Sequence, residues 1–307
     1  MPLTRRYLFH GHAAALGGRI VRLGEGKQAK LIKDGGFIDL PASSLTVVGG
    51  KSQADLDGSM LKDPAAAQVV RFTTAKAFSE GVFDDLKAHF AVTLGERAAD
   101  TLTSTTRVKS EVTGLEVGLA GQPQMRVKLV RGGFTSQSST ASGETPVQLD
   151  PDTTYEGVSF VDRAGKSYTL VVEVEPTVFR DYDTYSKLTH AASDPRFLKK
   201  SAHALFLTGS AASKTVPTAP PLRRTDSGAV QGTIIKPLRW KGEPYPDSVI
   251  DPETRHSVKI PDLGTIYFGE ISISHQSRRV TMIRGTLGSP AGGDMAVGDY
   301  QDNGGWA

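Results

Sequence analysis

The sequence predicts a mainly β protein, an antiparallel sandwich or barrel with one or two short helices. Three observations carry that prediction. Short apolar runs recur at close spacing. Glycine (33 residues) and proline (17 residues) are scattered between them. Several runs alternate apolar and polar residues, the period of two that a half-buried strand requires. No regular alternation of strands with long helical segments is present, which argues against a parallel βαβ sheet.

The elements follow in chain order. The run around His10-Gly11-His12 reads as a strand, so both imidazoles share a face with Leu8. A strand at 44–48 is expected to end in a Gly49-Gly50 turn. Val47 to Ser52 superficially suggests a phosphate-binding loop, but the glycine that motif needs is Leu45 here. Ser79 is positioned to cap a helix over about 79–90, with Val82, Leu86 and Phe90 at i+4 spacing. Residues 109–119 and 124–130 read as a hairpin about Ala120 to Pro123. Residues 131–154, rich in Ser, Thr and Gly, read as a polar loop. In 167–175, Tyr168, Leu170, Val172 and Val174 share one face of a strand. Asp194-Pro195 is an N-cap and first-turn pair for a helix over 195–207. Residues 209–229 read as a proline-containing linker or a long loop. The clearest hairpin joins 264–274 to 278–287. Ile266 and Phe268 lie in one phase and Ile271 and Ile273 in the other, so a β-bulge is expected at Gly269-Glu270. The organisation that results is a β-rich body over 1–208, the 209–229 segment, and a C-terminal hairpin region over 230–307. That last region either forms a separate domain or completes the same sheet.

Composition narrows the function classes. The 307-residue chain is 38% hydrophobic and 22% charged, a folded and not a disordered composition. Cysteine is absent, which excludes disulfides, thiolate metal sites and a cysteine nucleophile. The one asparagine, Asn303, precedes glycine, so no N-glycosylation acceptor exists. Scarce asparagine with abundant Ala, Gly and Arg points to a GC-rich bacterial or phage genome. The net charge of +3 is a small excess and disfavours a nucleic-acid partner. No apolar run reaches the ~18–20 residues of a membrane span, and the N-terminus lacks the apolar stretch of a Sec signal. The expected location is the cytoplasm or a particle.

Candidate sites are few. His10 and His12 are a strand-borne H-x-H pair and the candidate ligands for a divalent metal, but no sequence spacing supplies the remaining ligands. Otherwise no cofactor is predicted. Arg196, Lys199, Lys200 and His203 form one stripe on the expected 195–207 helix and are candidates for anion binding. Arg239, Trp240 and Lys241 place an aromatic ring between two cations. With Tyr245 and Trp306 they are candidates for stacking on a sugar or other surface ligand. No catalytic residue is assigned. A Ser-His-Asp order across His203, Asp247 or Asp251 and Ser289 fails because Pro290 removes a backbone N–H where an oxyanion donor is needed.

These readings favour a structural or assembly protein, a component of a virion, tail, injection device or other bacterial multi-subunit assembly. Its expected partners are copies of itself or other assembly subunits. A carbohydrate- or surface-ligand-binding β-sandwich module and a metal-dependent hydrolase using His10 and His12 are the alternatives.

Overall fold

A computed structural model describes residues 7–22, 36–39, 41–60, 64–87, 102–140, 145–175, 183–188, 223–224, 230–274, 276–288 and 291–306. The expected 195–207 helix, its basic stripe and all of 209–229 except Arg223–Arg224 lie outside these residues. In chain order the strands are β1 (Tyr7–Leu8), β2 (Gly11–Arg22), β3 (Gly36–Asp39), β4 (Ala42–Ser44) and β5 (Gly50–Asp57). After the one-turn helix Gly58–Met60 and the short helix α1 (Pro64–Val69) come β6 (Val70–Arg71), β7 (Thr74–Phe83), β8 (Thr103–Val117), β9 (Gln124–Ser139), β10 (Val147–Leu149), β11 (Thr154–Glu156), β12 (Ser159–Val161) and β13 (Ser167–Val171). The last group is β14 (Arg223–Arg224), β15 (Val230–Thr233), β16 (Arg239–Trp240), β17 (Val249–Ile250), β18 (Ser257–Ile260), β19 (Gly264–Ile273), β20 (Arg278–Leu287), β21 (Ala291–Asp302) and β22 (Gly305–Trp306).

Apart from the small β1–β22 pair, these strands form two antiparallel sheets. The first has the order β16-β13-β12-β9-β8-β7-β5, and the second β14-β15-β19-β20-β21-β2-β3. Neither closes into a barrel among the described residues, so the sandwich alternative holds. The sheets pack face to face, with β2 and β21 lying across β7 and β8. One core joins Ala13, Leu16 and Ile20 of the second sheet to Val108, Val112 and Phe134 of the first. Apart from β16, the strands from 230 to 302 share a sheet with β2 from the N-terminus, so the C-terminal hairpins complete a sheet that the start of the chain enters.

The two expected hairpins are present. β8 pairs with β9 from Thr103↔Ser139 to Val117↔Met125, and β19 with β20 from Gly264↔Leu287 to Ile273↔Arg278. Within 167–175, Tyr168, Leu170 and Val172 are buried and Thr169 and Glu173 exposed.

Three local expectations are corrected. Ser79 caps no helix, because Thr74–Phe83 is a central strand. Ala75, Ala77, Ser79 and Gly81 are buried at period two, while Val82 and Leu86 of the expected helical face are exposed. β5 and β8 on either side capture the segment through ladder hydrogen bonds, which outweigh its helical spacing. Second, the strand near 44–48 is Ala42–Ser44. The chain then turns through exposed Val47 and Val48, and Gly49 takes a positive φ of 84°. Third, the front of 131–154 is not loop but the second half of β9. Its residues are small because the opposing sheet comes close. A Cβ on Gly132 would sit 2.7 Å from Met282 Sδ and 3.0 Å from the Tyr300 hydroxyl.

The second sheet carries a crease that positions the site described below. Ala15, Gly298, Met282 and Gly269 line up across β2, β21, β20 and β19, and the pairing skips all four. The register is unchanged across the skip, since Phe268 pairs Ile283 and Glu270 pairs Thr281. The expected bulge at Gly269 therefore inserts no extra residue. Instead each strand turns two consecutive residues inward: 15 and 16, 297 and 298, 282 and 283, 268 and 269 are all buried. Gly298 and Gly269 make the step with φ of 61° and 62°, a left-handed conformation that side chains disfavour. At the skipped rung, the Met282 carbonyl accepts a hydrogen bond from the buried Tyr155 hydroxyl of the first sheet at 2.6 Å. That contact satisfies a polar group the crease takes out of the ladder.

Candidate functional site

Two adjacent inward residues leave a dip on the opposite face. On β19 the outward residues flanking the dip are Tyr267 and Glu270; on β20 they are Thr281 and Arg284. The edge of β19 changes neighbours at the same place, from β18, which ends its pairing at Ser257↔Tyr267, to β15, which begins at Thr233↔Glu270. The turn before β18 supplies a wall. Asp251 Oδ1 accepts the backbone N–H groups of Glu253 (2.9 Å) and Thr254 (3.2 Å), and Arg255 adopts φ of 52°. His256 then anchors the turn to the sheet, its carbonyl accepting the Phe268 N–H at 2.9 Å. The result is a half-open cleft of about 490 Å³ on the outer face of the second sheet.

Its polar groups are oriented by one another. Arg284 donates to both oxygens of Glu270, Nε to Oε2 at 2.6 Å and Nη2 to Oε1 at 2.8 Å. The same guanidinium lies over the Tyr267 ring, 3.8 Å from its centroid, because Tyr267 and Arg284 are cross-strand partners. His256 is buried beside this pair, with Nε2 3.7 Å from Glu270 Oε1. Across the dip, Arg279 binds both oxygens of Asp299 at 2.8 Å, and the Thr281 hydroxyl donates to Oδ1 at 2.8 Å.

Burial alone would raise the Glu270 carboxyl, but hydrogen bonds from Arg284 and His256 outweigh it and hold the pKa at about 2. Asp251 follows the same pattern. Burial pushes it up, and the two backbone N–H groups pull it below the ordinary range. Both carboxylates are thus ionised at neutral pH. The cleft pairs rigid carboxylates and guanidinium groups in fixed planes, which suits it to hydrogen-bonding recognition.

The residues singled out from sequence lie elsewhere. Trp240 and Arg239 are on β16 at the edge of the first sheet. Trp240 packs edge-on against Phe160 (5.7 Å between centroids), and Arg239 pairs with Glu173 at 2.8 Å. Tyr245 is 5% exposed and packs against Tyr168, so it presents no open ring face. Lys241 is exposed next to them. Trp306 belongs to β22, opposite Tyr7. His10 is exposed in the link between β1 and β2, and His12 is half-buried on β2. Tyr7, Phe9, Gly11 and Ala13 are buried in alternation, so the two histidines do share a face with Leu8. Among the described residues no group of three or more His, Asp or Glu gathers as a metal site. Arg196, Lys199, Lys200 and His203 are outside the described residues.

Sequence reasoning missed His256, Glu270, Arg279, Arg284 and Asp299, and met Asp251 only as a possible acid of the Ser-His-Asp order that it rejected. A signal existed in the phase change at Gly269. It implies that Tyr267 and Glu270 both face outward across a gap, with the β20 arginines opposite them in the hairpin.

A second polar cluster lies inside the sandwich. Asp302 is fully buried, accepts a short hydrogen bond from Ser136 and another from Gly304 N at 2.9 Å, and has Arg278 Nη1 3.9 Å away. Burial first, and then the nearby Asp302 charge, pushes the Tyr7 phenol up to about 12. These groups bond to one another between the sheets, and we assign them to holding β1, β9, β20 and β21 in register.

Compared with known proteins, the chain matches no family model, and no curated protein or solved structure is significantly similar to it.

Proposed function

We propose that the protein is a ligand-binding β-sandwich module whose site is the cleft over the crease of the second sheet. The carrying observation is the meeting of concavity and oriented polar groups at one place: a 490 Å³ hollow, within the roughly 300–1,000 Å³ of small-ligand pockets, lined by Glu270, Arg284, His256 and Tyr267. The reading keeps one of the function classes expected from the sequence and moves the site from Trp240 and Tyr245 to the cleft. A screen of small polar fragments followed by amide NMR shifts tests it. Perturbations confined to Gln231, Asp251–His256, Tyr267–Ser272 and Arg279–Arg284 are expected. A screen in which no fragment perturbs these residues removes the reading.

A second reading, self-assembly, rests on a different observation. Leu8 (43% exposed), Val47 (59%), Val48 (77%) and Val82 (37%) lie at one end of the sandwich. Phe9 N bonds the Val47 carbonyl there and the Phe9 ring abuts Gly81. Scattered exposed apolar side chains are ordinary, but a group at one end is the kind of surface that subunits cover. Light scattering of the wild type and of a Val47→Asp/Val48→Asp variant tests it. An oligomer that the variant dissociates supports assembly through this end, and a monomeric wild type removes it.

A further inference from the structure

Resting on the cleft being the ligand site, we infer that its ligand is a neutral, polyhydroxylated molecule, a carbohydrate of one or two rings, which the protein binds without cleaving. The first argument is charge. Each arginine in the cleft already spends two donors on a carboxylate, Arg284 on Glu270 and Arg279 on Asp299. An anionic ligand would compete with those pairs and meet the ionised Glu270 and Asp251. A cationic ligand would meet the two guanidinium groups. An apolar ligand would cover Asp251, Glu270, Arg279 and Arg284 without replacing their contacts with water.

The second argument is hydrogen-bond geometry. A sugar hydroxyl donates and accepts at once. It is matched by a wall that alternates acceptors (Glu270, Asp251) with donors (Arg279, Arg284) and with amide and hydroxyl groups that do both (Gln231, Ser272). The bidentate pairs fix those groups before binding, so little side-chain entropy remains to be lost. The cleft volume of about 490 Å³ equals on the order of fifteen waters at ≈30 Å³ each, room for a small saccharide.

The third argument concerns chemistry. Glycoside cleavage needs a carboxylic acid held protonated near neutral pH. Glu270 gives both of its oxygens to the Arg284 guanidinium and Asp251 Oδ1 accepts two backbone N–H groups, arrangements that favour the ionised carboxylate. The cleft is therefore built to hold a glycan and not to protonate its leaving group.

The experiment uses the full-length protein against neutral oligosaccharides of glucose, galactose, mannose and xylose, with sialylated and sulfated oligosaccharides beside them, read by calorimetry and by amide NMR shifts. Neutral saccharides should bind and shift the cleft resonances. Gln231→Leu, outside the ion pairs, should weaken binding at least tenfold, as should Glu270→Gln if its NMR spectrum shows it folded. Glu111→Gln on the opposite sheet should leave binding unchanged. Binding only of sialylated or sulfated sugars overturns the ligand class. So does absence of all saccharide binding while polar fragments still shift the cleft, and in that case the cleft remains the site. Neutral-sugar binding that Gln231→Leu and Glu270→Gln leave intact overturns the placement. Hydrolysis of a bound saccharide overturns the claim that the site only binds.

Discussion

On the outer face of the first sheet, Lys51, Glu80 and Arg107 stand in one straight row across β5, β7 and β8, with both cations 2.9 Å from the carboxylate. Lys76–Glu111–Arg131 and Arg71–Glu116–Arg126 repeat the pattern on direct cross-strand partners. On the outer face of the second sheet, Arg284 instead reaches diagonally, across the crease, to Glu270. The chemistry is the same in both places. Between Thr103 and Thr113 the strands alternate regularly and ion pairs tile the outer face; the Arg71–Glu116–Arg126 row lies past a step at Gly114, where β8 turns two consecutive residues, 113 and 114, away from the core. Where four strands each turn two residues inward, an outward row is missing, and the pairs frame a hollow. A binding cleft here is a consequence of backbone phase, with the charged side chains shaping what it accepts.

The comparison breaks most severely at the crease itself. Gly298→Val would place a Cβ 2.8 Å from Met282 Cγ and from the Tyr300 hydroxyl, at φ of 61°. Strain and overpacking together should cost on the order of 3 kcal/mol or more, seen as a large fall in the urea midpoint. An unchanged midpoint would mean that the crease is soft.

Next comes Glu270→Gln. A carboxyl held about two pH units low represents on the order of 3 kcal/mol. Because the folded-state pKa is depressed, the stabilisation is complete above the ordinary value of 4.5 and is lost as pH falls toward about 2. Wild type and variant should therefore differ most at neutral pH and converge below pH 4.5. A difference that is constant across this range would show that Glu270 acts through packing alone.

Tyr155→Phe is a smaller break. It leaves the Met282 carbonyl without the 2.6 Å hydrogen bond between the sheets, and a buried unsatisfied acceptor costs about 1–3 kcal/mol. Chemical denaturation should give a loss in that range, with the strand content by circular dichroism unchanged.

The smallest effect is expected on the flat face. Glu111→Gln removes an acceptor shared by Lys76 (3.8 Å) and Arg131 (2.7 Å). Exposed pairs of this kind contribute about 0–1 kcal/mol each. A loss as large as that of Glu270→Gln would erase the distinction between the two faces.

The parts of the fold legible in sequence were those where local pattern and tertiary demand agree. Residues 264–287 alternate so strongly, with a turn between, that a hairpin is the arrangement that buries Ile266, Phe268, Ile271 and Ile273 together. The reverse held for 79–90. Val82, Leu86 and Phe90 fit a helix, yet the inward residues Ala75, Ala77, Ser79 and Gly81 are all small, and Gly81 admits the Phe9 ring. The polar run after Arg131 misled for a related reason. Ser136 is buried with its hydroxyl on Asp302 of the other sheet, and the Tyr300 hydroxyl of that sheet lies over Gly132. A serine reads as loop or strand depending on what lies opposite it, and that partner is far away in sequence.

The site divides along the same line. Glu270, Arg284 and the phase change at Gly269 can be read from the hairpin pattern, since pairing is set by turn position and alternation is set by period two. Sequence by itself therefore determined the β class, the main hairpins and the polar character of one face. Only the tertiary structure decided that Gly269, Met282, Gly298 and Ala15 align, that β15 and β18 leave β19 at the same point, and that the Asp251–His256 turn closes over the gap. Each of those depends on which strands become neighbours. Neighbours are chosen by how the two sheets bury their common core, a property of the whole chain that no local window contains.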